Sequence, residues 1–243
     1  MDFCIEKMGK PLQILYQDDY LIAINKPHGL LVHRSPIAAD ASEFAVQLLR
    51  NQIGQKVYPV HRLDRKTSGV LLFALNEEVN RTMQQAFMNK EVEKKYLTIV
   101  RGFTPEKGTI DYALTTEDGK VQDAITHYQT LRHFEIPVPF GKFDTSRYSF
   151  LEVNPETGRM HQIRKHFAHI FHPIIGDRPH GCNKQNKLFL EKWNMNTMLL
   201  HASELQFIHP VSCEKITIEA GIHSDFERVL GVLFNKFVEQ SNS

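Results

Sequence analysis

Apolar positions along this chain fall in short runs broken by polar turns, with few long periodic stretches. Leu12 to Tyr16 and Tyr20 to Asn25 are two such runs separated by Gln17-Asp18-Asp19, and they read as a hairpin. Lys26-Pro27-His28-Gly29 then breaks the second strand. Residues 41–53 place Phe44, Leu48, Leu49 and Ile53 at helical spacing. Val70 to Leu75, bounded by Gly69 and Asn76, reads as a buried strand. Glu77 to Lys90 reads as a helix with acids first and a base last, as the helix dipole favours. Lys95 to Val100, Ile125 to Leu131 and Tyr148 to Val153 predict further strands, with a long exposed loop over Ile136 to Ser146. Arg159 to Phe171 predicts a helix ended by Pro173. Leu199 to Ile208 and Lys215 to Ala220 are late strands, and Asp225 to Phe237 is a closing amphipathic helix. Strands in runs, with a few helices between them, predict an α+β fold with a mixed, mostly antiparallel sheet flanked by helices and loops.

Composition adds limits to this picture. At 42% hydrophobic and 23% charged residues, 243 residues suffice for a full core without metals or disulfides to staple it. Cys4, Cys182 and Cys213 form no C-x-x-C pair and suit reduced thiols in the cytoplasm. The start of the chain lacks the apolar run of a signal peptide, and no stretch approaches the ~20 apolar residues of a membrane span. A soluble cytoplasmic protein is expected. The net charge of +1 neither supports nor excludes a nucleic-acid partner, because distribution matters more than the total.

The candidate chemistry sits in residues 61–69, His-Arg-Leu-Asp-Arg-Lys-Thr-Ser-Gly. Asp64 lies among Arg62, Arg65 and Lys66 at the entrance to the predicted buried strand. Nearby cations hold a carboxylate ionised, and an ionised carboxylate there can act as nucleophile or base. The same pattern also fits a carboxylate that only makes ion pairs and turn hydrogen bonds. A kinase catalytic loop is excluded: Gly69 stands where its Asn belongs, and neither a Gly-rich loop nor D-F-G is present. The P-loop pattern is missing as well. His161, His166, His169 and His172 wrap a helix without the i, i+4 pair of a zinc site, so no metal is expected.

The nonapeptide resembles the signature of the RluA-type pseudouridine synthases, H-R-L-D-x-x-T-S-G. Four further elements resemble that family in order. They are Lys26-Pro27-His28-Gly29-Leu30-Leu31-Val32-His33; Lys95-Tyr96-Leu97 with Val100-Arg101-Gly102; Gly158-Arg159-Met160-His161-Gln162-Ile163-Arg164-Lys165-His166 leading to Pro173-Ile174-Ile175-Gly176-Asp177; and Leu200-His201-Ala202 with His209-Pro210. Together they run from Lys26 to Pro210, within a core of about residues 12–220. Within the family, His33-Arg34-Ser35, Asn51 to Gln55 and Thr126-His127-Tyr128 are most similar to a branch that acts on tRNA. The resemblance implies a single catalytic domain over residues 1–243, with the pseudouridine synthase fold and no separate N-terminal RNA-binding domain.

It further implies an isomerase that breaks the bond from ribose to N1 of uracil and rejoins the base through carbon 5. No redox cofactor or metal is called for, and the partner is RNA, with a T-stem uridine of tRNA favoured over ribosomal RNA. Neither DNA nor membrane is implied, and a monomer is the default for a chain without an evident coiled coil. Asp64 corresponds to the family's essential carboxylate, Arg164 to its basic partner and Tyr96 to its active-site tyrosine, whose ring can stack on uracil. Leu200 matches an apolar residue packed near the base. Taken without the resemblance, Tyr96 and Leu200 read as core, and Arg164 as a phosphate-facing cation. Arg62, on the same face as Asp64 if the segment is extended, is expected to reach the space left by a flipped nucleotide or to contact its phosphate; an exposed cation is the alternative. Arg65, Lys66, Arg159 and Lys165 are candidate phosphate contacts. His161 and His166 are expected to support the fold or the RNA backbone.

Overall fold

A computed structural model describes residues 11–33 and 43–241. Cys4, Arg34-Ser35 and the first two residues of the predicted 41–53 helix lie outside the described residues. The first two apolar runs form β1 (Ile14–Gln17) and β2 (Leu21–Lys26), paired antiparallel. Asp18 makes the turn between them, its Oδ1 accepting the amides of Tyr20 and Leu21, both at 2.7 Å. Helix α1 (Ala45–Ile53) ends at Gly54 in the left-handed region. The short β3 (Tyr58–Pro59) leads to β4 (Ser68–Ala74), every residue of which is buried. Helix α2 (Glu77–Met88) starts on Asn76, whose Oδ1 accepts the Val79 amide at 2.9 Å, with Glu77 and Glu78 in the first turn. Lys90, predicted to be its last residue, lies beyond the helix end at φ 62°.

The chain continues through β5 (Glu93–Arg101), β6 (Lys107–Asp111), β7 (Leu114–Thr115), β8 (Val121–Gln122), β9 (Ile125–Ile136) and β10 (Ser146–Pro155). Then come α3 (Gln162–His169), α4 (Asn183–Trp193), β11 (Leu200–Ile208), β12 (Lys215–Glu219) and α5 (Ser224–Ser241). Ten strands make one sheet in the order β1-β2-β4-β11-β5-β10-β9-β6, with β3 on β4 and β12 on β11; β7 and β8 pair separately. β4 and β11 run parallel, and the other pairs in this sheet are antiparallel. The mixed, mostly antiparallel sheet is therefore present. No helix among the described residues is long and apolar enough to cross a membrane.

Side-chain alternation divides the core between the two faces of the sheet. Leu21, Ala23, Val70 and Leu72 pack under Val79 and Met83 of α2, while Ile22, Ile24, Leu71 and Phe73 pack under Ala45 and Leu49 of α1. Farther along, Ile99, Phe134, Ile136 and Tyr148 lie against α4 and α5, whereas Val100, Leu151 and Val153 lie against Ile163 and Phe167 of α3. β9 runs five residues beyond its predicted end at Leu131. A bulge there shifts the register against Phe150/Leu151, so Tyr128 packs on one face and Phe134 on the other. Tyr96 packs against both the α1 cluster and the α3 cluster, and the site opens at the seam between them.

Candidate active site

Asp64 sits in the loop that enters β4, its carbonyl accepting the Thr67 amide at 3.1 Å. This loop is stitched to the Lys26-to-Leu30 segment. The Gly29 amide donates to the Arg65 carbonyl at 2.8 Å, and Arg65 Nε donates to the Gly29 carbonyl at 3.1 Å. Lys26 is fully buried, and its Nζ reaches the carbonyls of Pro27 (3.0 Å), Leu30 (2.8 Å) and Arg65 (3.3 Å). Burial pulls the Lys26 ammonium down to about 7, with the Asp64 carboxylate acting against that fall. From the other side, Gly69 brings β4 against β11: a Cβ built there would lie 2.1 Å from the Ala202 carbonyl oxygen.

Helix α3 supplies the cation. It begins three residues later than predicted, because Gln162 holds the preceding turn off the helix. Gln162 Oε1 accepts from Thr157 Oγ1 (2.6 Å) and the Arg159 amide (3.0 Å), while Nε2 donates to the Ile125 carbonyl (2.9 Å). Arg164, in the first turn, donates Nη1 to Asp64 Oδ2 at 2.8 Å, and Nε and Nη2 to the two oxygens of Asp177, both at 2.8 Å. Side-chain exposure rises along this series from 1% at Asp177 through 5% at Arg164 to 29% at Asp64, so the ion-paired row runs from the core out to the cleft. Burial alone would lower the Arg164 pKa; the bonds to Asp177 and Asp64 outweigh it, and the guanidinium is held above its ordinary value.

The cleft at the end of this row measures about 710 Å³. Asp64, Tyr96, Arg164 and Leu200 line it together, with Arg62, Arg159 and His161 around them. Burial, joined by the charge of Asp64, pushes the Tyr96 hydroxyl well above its usual range, so it stays protonated. Leu200 is 3% exposed and gives an apolar wall. Arg62 and Arg159 are exposed at the rim, Arg159 donating Nε to the Asp123 carbonyl at 3.1 Å. Arg65, Lys66 and Lys165 are not among the lining residues.

The four histidines of the α3 region diverge. His161 Nδ1 meets His180 Nε2 at 3.0 Å, with its own Nε2 3.8 Å from Asp64 Oδ2. His166 bonds the Tyr112 carbonyl, His169 stacks on the Tyr112 ring at 3.6 Å, and His172 bonds the Arg101 carbonyl. Sequence reasoning assigned no role to Lys26, Asp177 or His180. For Asp177 the available signal was a lone acid closing a Pro-Ile-Ile-Gly turn just beyond a helix that carries an inward Arg.

What the arrangement offers chemically is a carboxylate paired with a buried guanidinium, facing an aromatic ring and an apolar wall within a cation-rimmed cleft. Residues 20–169 match the family model described as RNA pseudouridylate synthase. The chain is 46% identical over 237 residues to tRNA pseudouridine synthase C of Vibrio parahaemolyticus, covering 93% of this chain and 95% of that one. It is 49% identical over 236 residues to the protein of the same name from Haemophilus ducreyi, covering 93% and 96%. Among solved structures, Human RNA Pseudouridylate Synthase Domain Containing 4 superposes with a TM-score of 0.69 at 26% identity, covering 91% of this chain and 93% of that one. On these grounds the chain belongs to the RNA pseudouridylate synthase family.

Proposed function

We propose that this chain converts a uridine of tRNA, in the T-stem, to pseudouridine in the cytoplasm, with Asp64 as the essential carboxylate. The observation that carries this reading is the 2.8 Å pair of Arg164 Nη1 with Asp64 Oδ2 at the floor of the cleft. The reaction breaks the N1–C1′ bond, turns the base and joins C5 to C1′; carbon 5 gives up a proton and N1 ends with one. Attack at the sugar, attack at the base and removal of a ribose proton all need an ionised carboxylate beside the nucleotide. Tyr96 stacks on the extruded uracil and Leu200 closes the other side of its slot. Arg62 and Arg159 at the rim hold the neighbouring phosphates. The names of the relatives support tRNA as the substrate.

Site-resolved pseudouridine mapping tests this in cells lacking the gene, complemented with wild type or Asp64→Asn. One tRNA pseudouridine should disappear and return only with wild type, while purified Asp64→Asn still binds the tRNA. A modification that maps to ribosomal RNA instead would overturn the substrate, and full activity of the Asn variant would overturn the role of Asp64.

A further inference from the structure

We propose that Asp177 is a positioning residue of this site: it sets the guanidinium of Arg164 and, through it, the carboxylate of Asp64. The inference rests on the functional reading above and extends it by one residue. A guanidinium is planar, with five N–H donors in a fixed fork. Asp177 takes the Nε and Nη2 edge with both oxygens at 2.8 Å, which fixes the plane and leaves Nη1 directed at Asp64 Oδ2. Asp177 is itself clamped. Its carbonyl accepts Asn186 Nδ2 at 2.6 Å, and the Gly176 amide beside it donates to Asn186 Oδ1 at 2.8 Å. Gly181 closes over the same carbonyl, where a Cβ would stand 1.9 Å from the oxygen. A rigid series thus runs from Asn186 on α4 through Asp177 and Arg164 to Asp64.

The chemistry supplies a reason for such a clamp. An arginine at the floor of an RNA-binding cleft meets a competing ligand whenever substrate enters, because phosphate oxygens accept the same bidentate fork. A carboxylate with 1% exposure, already bonded to two of the donors, keeps the guanidinium out of that competition. Both side chains that approach Asp64, the Arg164 guanidinium at 2.8 Å and the His161 imidazole at 3.8 Å, do so at Oδ2. This arrangement leaves Oδ1 to face the nucleotide.

Asp177→Asn keeps the shape and removes the charge. The expected result is a single-turnover rate on tRNA transcript about a hundredfold below wild type, the scale of a misplaced reacting group, with the tRNA Kd within about threefold. Nitrogen-15 spectra should show resolved Nη signals of Arg164 in wild type and averaged ones in the variant. A wild-type rate in a folded Asp177→Asn protein would overturn the proposal. So would a rate loss matched by an equal loss of tRNA affinity. Should the Asn variant not fold, Asp177→Glu keeps the charge on a longer arm: a slowed rate with tRNA affinity retained supports the role, and a wild-type rate refutes it. Averaged Nη signals in wild type refute it whatever the variants do. If wild type itself makes no pseudouridine in tRNA, the functional reading fails, and the spectra still decide whether Asp177 holds Arg164.

Discussion

Gly69→Ala isolates the contact that joins the Asp64 strand to the rest of the sheet. Gly69 has φ +109°, and a Cβ there would lie 2.1 Å from the Ala202 carbonyl oxygen and 2.7 Å from both its nitrogen and its carbonyl carbon. Ordinary contact begins near 3.4 Å, so β4 and β11 must separate locally by about 1.3 Å. Both partners are backbone in a buried parallel pair, Ala202 facing Gly69 in register, and no side-chain rotation can relieve the clash. The unfavourable φ contributes roughly 1–3 kcal/mol and the overpacking another 1–3 kcal/mol, for an expected loss of about 4 kcal/mol. Gly119→Ala is the internal control: it has φ +83° and nothing within 4 Å, so it carries the conformational cost alone. Urea unfolding of both variants at constant m-value gives the difference directly. Because Asp64 lies just before β4 and Leu200 begins β11, the same separation should open the cleft and slow single-turnover pseudouridine formation about a hundredfold. If Gly69→Ala unfolds within 1 kcal/mol of Gly119→Ala, the steric reasoning is wrong.

Two further expectations concern acid and strain. Burial drives His28, His61 and His201 each down to about 4, and His201 is enclosed between Ser68 Oγ (2.9 Å) and the Ala220 carbonyl (3.1 Å). Between the ordinary histidine value near 6.5 and about 4 the unfolded chain binds protons that the fold refuses. Stability should therefore fall as pH drops through that window and level off below it, with His201 contributing up to about 3 kcal/mol. Urea midpoints that stay flat from pH 7 to 4 would contradict this. Phe171 closes α3 in the left-handed region (φ 64°), where its amide bonds the Ala168 carbonyl and the His172 amide bonds the Phe167 carbonyl, while its ring is 86% exposed. Phe171→Gly should raise stability by about 0.5–1 kcal/mol, since strain is relieved and little burial is lost; a lower melting temperature would show that the ring is held by more than its backbone.

Much of the fold could be read from local pattern, and its gaps have local causes. β4 was legible because an unbroken apolar run suits a strand buried on both faces, and α2 because Asn76 and two acids mark its start. Helix α4 was missed: Cys182 offers no side-chain cap, and of the helix's residues only Gln185 and Phe189 are buried. The second half of β9 was hidden by Leu131, an exposed apolar residue at a bulge that reverses the alternation beyond it. In the site, Asp64, Tyr96 and Arg164 carry a recognisable spacing. Lys26 and Asp177 stand in the same elements but show no role there, because burying a charge is costly and makes sense only when its hydrogen-bond partners, brought in from other segments, are in view.

The place of β11 also bears on how the chain is made. In the sheet it lies between β4 and β5, so the strand that follows Asp64 and the strand that carries Tyr96 never touch each other along their edges. During synthesis the β1-β2-β4 unit and the β5-β10-β9-β6 unit must wait, each with the edge that β11 will cover still open, until the segment from Leu200 onward leaves the ribosome. Such edges invite pairing with other chains. The residue order thus makes a late-arriving core strand the keystone, and the cleft comes into being only once nearly the whole polypeptide has been translated.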